Sequence, residues 1–350
     1  MLSAMPAGRN FRWTPFRYRL GLASFAMLLN ACAAPPKQGP APAVATPRLY
    51  ADHAITADGY VLPVQSWVPS EPARAVVLAV HGFNDYRTAF ARPGAFLAGR
   101  GIWTYAYDQR GFGATPLRGL WPGIEPMVSD LRLMLALLRA RHPGLPIYVL
   151  GESMGAALAI VAGTGRQPLA ADGLILSAPA LWGRRLMNPA MRTLLWLMQH
   201  TVPRMHLSGR GLRIRATDHR AAALGLYYDP WVIKETRVDA VAGLTDLMDA
   251  AYLTAPALYL PALILYGARD EVMPKRSFDH LVTGLARAHA PHWRAAFYPG
   301  GYHMLMRDRQ APLVLRDINA WIVDRHAPLP SGREYTLKQT RLSRAAWSQR

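Results

Sequence analysis

Short, unbroken apolar runs recur along this chain, and they constrain its fold more than any other feature. Ala75–Val80, Ile102–Tyr107, Ile147–Leu150, Gly173–Leu176 and Ala262–Tyr266 carry no charged residue and no polar-apolar alternation. A strand of that kind is buried on both faces, as in a parallel sheet. Between and after these runs fall helical patterns at Met127–Ala140, Met154–Ala162, Ser277–Ala288 and Leu313–Val323. Alternation of this kind predicts an α/β fold, with a mostly parallel central sheet and helices on both faces. Trp293–Phe297 reads as a further strand. Two strands near Leu49–Ile55 and Tyr60–Val68, joined through an Asp58-Gly59 turn, precede the first run. The length of 350 residues is ample for a large core.

The rhythm stops between Leu181 and Leu258 and resumes at Ala262. The interruption, residues 181–258, is expected to be a helical cap inserted between two parts of the core, 48–180 and 259–326. Beyond 326 periodicity is lost, and residues 327–350 read as a loose basic tail with Arg333, Lys338, Arg341, Arg344 and Arg350.

Composition removes several classes. The chain is 51% hydrophobic and 18% charged, which excludes intrinsic disorder. Its one cysteine, Cys32, excludes an internal disulfide and a cysteine-built zinc site. Residues 1–31 hold Arg9, Arg12, Arg17 and Arg19, no acid, and the apolar run Leu20–Leu29, which is too short to span a bilayer as a helix. That layout is a secretory signal, and its end, Leu29-Asn30-Ala31-Cys32, resembles the lipobox of bacterial lipoproteins. The resemblance implies cleavage before Cys32 and lipidation of its thiol. Ala33 after it implies sorting to the outer membrane, facing the periplasm. An ordinary signal peptide with an incidental cysteine is the alternative. Residues 32–47, rich in Pro and Ala, are expected to form an extended tether.

The chemistry is concentrated in a few loops. Gly151-Glu152-Ser153-Met154-Gly155 joins a buried strand to a helix of small residues. A tight strand-to-helix turn exposes the serine hydroxyl there, and the helix N-terminus favours developing negative charge. A serine needs a base to take its proton and a carboxylate to orient that base. Asp270 follows the strand Ala262–Tyr266, and His303 lies in the glycine loop Gly300-Gly301-Tyr302-His303 after Trp293–Phe297. Glu271 and Asp308 are rival acids. The oxyanion donors are expected to be the backbone amides of Met154 and of Phe83, in His81-Gly82-Phe83-Asn84-Asp85. His81 is read as structural.

Together these segments, with Asp108-Gln109-Arg110-Gly111-Phe112-Gly113, resemble α/β-hydrolases of the monoacylglycerol lipase and lysophospholipase type from about Leu49 to His326. The resemblance implies a Ser153–Asp270–His303 triad, oxyanion donors at Phe83 and Met154, a helical cap, and no metal or organic cofactor. Glu152 and Phe112 depart from that group, where histidine is common at both positions.

The cap is rich in Met, Trp and Leu, and Trp182, Met187, Met191 and Trp196 are candidate acyl-chain contacts, with plain helix core the alternative. The net charge is +18, and Arg204, Arg210, Arg213, Arg215 and Arg220 crowd the cap. They form either a solvated basic face or a contact with anionic phospholipid, so a membrane surface is the expected partner and nucleic acid is not. The sequence therefore predicts a tethered serine hydrolase of lipid carboxylic esters. Its alternatives are a short-chain carboxylesterase, an acyltransferase, a proline-type aminopeptidase, and a non-catalytic envelope lipoprotein.

Overall fold

The computed structural model describes residues 38–39, 41–209, 211, 214–288 and 292–335. The leader, Cys32 and the tail residues beyond Tyr335 lie outside the described residues.

Eleven strands and eight α-helices are described. The strands are β1 (Arg48–Leu49), β2 (His53–Ile55), β3 (Val61–Trp67), β4 (Ala75–Val80), β5 (Ile102–Tyr107), β6 (Ile147–Glu152), β7 (Gly173–Ser177), β8 (His206–Ser208), β9 (Glu235–Arg237), β10 (Ala262–Gly267) and β11 (Trp293–Tyr298). The helices are α1 (Ala91–Ala98), α2 (Ile124–Arg141), α3 (Met154–Gly163), α4 (Pro189–Thr201), α5 (Arg220–Tyr228), α6 (Val238–Thr254), α7 (Lys275–Arg287) and α8 (Ala311–Val323). Nine strands form one sheet in the order β1-β2-β3-β5-β4-β6-β7-β10-β11. β1 to β3 and the β3–β5 pair run antiparallel, and every pairing from β5 to β11 is parallel.

Successive side chains of a strand point to opposite faces, so each apolar run fills two cores. In β4, Val76, Leu78 and Val80 pack under α2, α3, α6 and α7, whereas Ala75, Val77 and Ala79 pack under α1 and α8. The sequence does not announce α1, whose Pro93 and Gly94 look like breakers. Pro93 sits in the first turn, where its missing N–H costs nothing. Gly94 is required because a Cβ there would stand 2.8 Å from Trp67 Cγ, so the helix packs flush on β3.

Three expectations are corrected. The single strand expected at Leu49–Ile55 breaks into β1 and β2, because the chain turns at residues 50–52, with Tyr50 N–H bonded to His53 O and its ring stacked on His53 at 4.4 Å. The described part of the expected tether lies on the domain. Gln38 is buried, its carbonyl accepting from Arg110 Nη1 at 2.6 Å, and Val44 and Ala45 donate to Ala57 O. The tail begins later than residue 327. Leu329 is buried, Phe297 N–H donates to Arg333 O, and Tyr335 N–H donates to Ala295 O. β11 is an edge strand, and this segment supplies partners that its backbone would otherwise seek from water.

The insertion between β7 and β10 is not purely helical. β8 and β9 pair antiparallel across it. α4 starts as its sequence dictates, with Pro189 in its first turn and the Asn188 side chain accepting from Met191 N–H at 2.8 Å. α6, the last helix of the insertion, is buried along α3 in the helical layer on the sheet.

Candidate active site

The parallel strands end on one edge of the sheet, and the predicted site residues follow those ends, as ligand sites do in open parallel sheets. Ser153 stands between β6 and α3 at φ 54° and ψ −111°, a conformation that is strained for a residue with a side chain. Its backbone is held from several sides. Its N–H donates to Ser177 O at 2.9 Å, and its carbonyl accepts from Ala156, Ala157 and Ala180 at 3.1 Å each. The turn closes only because Gly155 lets α3 approach β4. A Cβ there would lie 2.6 Å from Val80 C and 2.8 Å from His81 O.

Asp270 and His303 are brought together. His303 Nδ1–H donates to Asp270 Oδ2 at 2.8 Å, with the carboxylate wholly buried. Asp270 Oδ1 accepts from the amides of Val272 and Met273, both at 2.8 Å. The two loops are stitched by backbone bonds, Ala268 N–H to Tyr298 O and Arg269 N–H to Gly301 O. The rival acids point elsewhere. Glu271 accepts from Arg215 N–H in the insertion, and Asp308 accepts from Tyr302 N–H and Gln310 N–H. Burial raises the Asp308 carboxyl to about 6.

The loop after β4 is fixed by His81. This buried imidazole donates from Nδ1 to Gly82 O at 2.8 Å and accepts at Nε2 from Gln109 N–H at 3.0 Å. Burial lowers its pKa, so it is a neutral structural histidine. Phe112 packs edge-on against both His81 and Phe83. A histidine at position 112 would place a second polar ring in that apolar contact. Among the described residues, neither Phe83 N–H nor Met154 N–H donates to a protein acceptor, so both amides are available to a ligand.

One cluster went unnoticed in the sequence. Glu152 and Asp85 are buried and Arg307 is half-buried, and Arg307 Nη2 lies 2.5 Å from Glu152 Oε2 while Nη1 lies 2.7 Å from Asp85 Oδ2. Burial pushes the Glu152 carboxyl up, and the guanidinium opposes that shift. The pairing brings the elbow and the segment after His303 into contact. Positions 152 and 307 are too far apart in sequence for any local pattern to have linked them.

The insertion reaches the site at both ends. Met304 N–H donates to Ala216 O, and Thr217 Oγ1 to Arg307 O. On the other side Ile233 N–H donates to Asn84 O, and Tyr86 OH to Asp229 Oδ2 at 2.7 Å. A cleft of about 660 Å³ opens there, lined by Asn84, Ser208, Tyr227, Ile233, Lys234 and Thr236. The candidate acyl contacts do not form one wall. Trp182 and Met187 are half-buried, whereas Met191 and Trp196 are exposed and the Trp196 ring packs on His200 of its own helix. No residue of α4 is buried, and Met191, Leu194, Trp196 and Leu197 are exposed while Leu195 and Met198 are half-buried. Among the described residues, no three His, Cys, Asp or Glu side chains converge as a metal site would require.

Comparison with known proteins finds lipases among the chains similar to this one. The monoacylglycerol lipase of Mycolicibacterium smegmatis is 26% identical over 269 residues, covering 73% of this chain and 91% of its own. The monoglyceride lipase of Mus musculus is 25% identical, covering 80% and 92%. The crystal structure of Paleococcus ferrophilus monoacylglycerol lipase superposes with a TM-score of 0.64 at 24% identity, over 75% of this chain and 98% of that one. A soluble variant of the Saccharomyces cerevisiae monoglyceride lipase, in complex with a substrate analogue, gives 0.65 at 20% identity, over 84% and 98%. These likenesses establish the α/β-hydrolase fold. The family model described as serine aminopeptidase, S33, matches residues 71–310, from just before β4 to the loop before α8, and so takes in the loops of Phe83, Ser153, Asp270 and His303. The chain belongs to that Hydrolase_4 family.

Proposed function

We propose that this protein is a serine hydrolase of lipid carboxylic esters, of the monoacylglycerol or lysophospholipid class, acting through an acyl-enzyme on Ser153. One observation carries the reading: the His303–Asp270 hydrogen bond stands on the same sheet edge as a strained serine elbow. In this reading His303 Nε2 takes the hydroxyl proton as Ser153 Oγ attacks the ester carbonyl. Asp270 accepts from Nδ1–H, holding the tautomer and offsetting the imidazolium charge. The amides of Phe83 and Met154 donate to the oxyanion. His303 then protonates the departing alcohol, and water attacks the acyl-enzyme by the same route. The lipid character of the substrate is supported by the names of the relatives, monoacylglycerol and monoglyceride lipases, and by the apolar side chains exposed on α4 and α5. A peptide-amine substrate finds less support, because Glu152 beside the serine is buried and paired with Arg307.

The envelope location belongs to the same proposal. Cleavage before Cys32 and lipidation of its thiol would anchor the enzyme at the outer membrane on the periplasmic side, with the basic residues of the insertion near the lipid surface. Trp182, Met187, Met191 and Trp196 are proposed to contact acyl chains, the exposed pair only when lipid covers them.

The test is direct. Ser153→Ala should abolish both p-nitrophenyl ester turnover and fluorophosphonate labelling, and labelling that persists in the variant refutes the nucleophile. Incubation with a mixed lipid extract, read by mass spectrometry, should deplete monoacylglycerols or lysophospholipids before diacyl lipids. Cys32→Ser should release the protein from the membrane fraction.

A further inference from the structure

We infer that Arg307 is a positioning residue for acyl transfer, its guanidinium locking the loop of Phe83, the elbow of Ser153 and the segment of His303 into one unit. The inference rests on the Ser153 reading above.

The geometry is specific to those three segments. Asp85 is two residues beyond Phe83, Glu152 directly precedes Ser153, and Arg307 is four residues beyond His303. Each segment follows a different strand, β4, β6 and β11. Arg307 meets Asp85 at 2.7 Å and Glu152 at 2.5 Å, and the three side chains are 12%, 7% and 2% exposed. The arginine is itself fixed, with its N–H donating to Met304 O and its carbonyl accepting from Thr217 Oγ1. Asp85 is fixed as well, since its N–H donates to Gly82 O and its Oδ1 accepts from Tyr86 N–H. Nη2 hydrogen-bonds to Glu152 and Nη1 forms an ion pair with Asp85, and a planar guanidinium keeps both contacts at these distances only while the three segments keep their register. Phosphate or carboxylate binding would be the other use of an arginine in this position, but both of its terminal nitrogens already face protein carboxylates.

Two variants separate positioning from plain stability. Glu152→Ala releases the elbow and leaves Arg307 and Asp85 as a balanced pair. Arg307→Lys keeps the charge and loses the fork. Both are compared with Ile318→Val, a core change in α8 on the opposite face of the sheet. The measurements are kcat and KM on p-nitrophenyl butyrate, the rate of fluorophosphonate labelling, and the melting temperature. Since a displacement of about 1 Å at a reacting group costs about 100-fold, Glu152→Ala and Arg307→Lys should lower kcat by about 10- to 100-fold. Labelling should slow in parallel, with KM within about twofold, as expected when only transition-state interactions are lost. Ile318→Val should lower the melting temperature and leave kcat alone. The positioning role is overturned if Glu152→Ala and Arg307→Lys melt earlier yet keep kcat within about twofold. Should Arg307→Lys fail to fold, Glu152→Ala decides by the same criterion. Wild-type labelling that vanishes in Ser153→Ala shows the underlying reading intact. A wild type that takes up no probe sinks that reading, and the role of Arg307 with it.

Discussion

Gly155→Ala is the sharpest probe of the elbow, because the obstruction it creates is backbone and cannot rotate away. The added methyl would lie 2.6 Å from Val80 C and 2.8 Å from His81 O, and closer still to Val80 O. Carbon contacts settle at about 3.5–4.0 Å, so α3 has to retreat by about 1 Å. β4 cannot yield in its place, since it is hydrogen-bonded to β5 on one side and β6 on the other. Overpacking of this kind costs about 1–3 kcal/mol. The retreat also carries Ser153 and the Met154 amide away from the loop of Phe83, and a shift of that size should lower kcat by about 100-fold. Thermal melting and p-nitrophenyl ester kinetics measure the two effects separately. Gly225→Ala in α5 is the matched control, because no atom lies within 4 Å of its added methyl. A helical Gly→Ala change there should be neutral or stabilise by about 0.5–1 kcal/mol, with kcat unchanged. A Gly155→Ala protein that melts normally and keeps kcat within about twofold would refute the account of the elbow.

Other outcomes follow from the same geometry. Asp270→Asn should lower kcat by about 10⁴-fold with little change in KM, whereas Glu271→Gln should leave both unaltered; the reverse pattern in steady-state kinetics would reassign the acid. Arg110 holds the Asp58 carboxyl well below its usual range, from a network that also includes Asp130. A group depressed in this way adds stability above its unfolded value of about 3.9, and that contribution is lost as the pH falls below it. Urea titrations across about pH 3 to 7 should therefore show a shallower acid-side loss in Asp58→Asn than in the wild type. Deleting residues 38–47 removes the bond from Arg110 to Gln38 O and that from Gln38 Nε2 to Leu120 O. Unfolding should then become easier by about 1–3 kcal/mol, and an unchanged denaturation midpoint would mean that the docked arm adds nothing.

Much of this protein is legible locally. The unbroken apolar runs predict β4, β5 and the start of β6 because burial on both faces leaves no room for alternation. The glycine-flanked serine is readable for the same reason: strand, turn and helix follow one another between Ile147 and Gly163, and the turn chemistry is carried by Gly151 and Gly155. The boundaries of α2 and α7 differ from the predicted ones by a few residues, as frayed ends do. What escaped was whatever depends on segments far apart in sequence. α1 hid behind Gly94, whose purpose is visible only with Trp67 packed on it. The arm at residues 38–47 looked like a spacer by its proline content, yet Arg110 and Ala57 give its backbone partners.

The candidate site divides along the same line. Residue types and chain order alone determined that a serine, an acid and a histidine would follow strand ends. They favoured Asp270, with Glu271 beside it and Asp308 after the histidine as rivals that carry the same group. The tertiary structure adds the contact itself: among the described residues, the Asp270 carboxylate is the one that meets His303 Nδ1, and two backbone amides hold it in place. It also decided that Glu152 and Asp85 share Arg307. A hydrogen bond is set by tenths of an ångström between chains that meet only on folding, and no one-dimensional pattern encodes that distance.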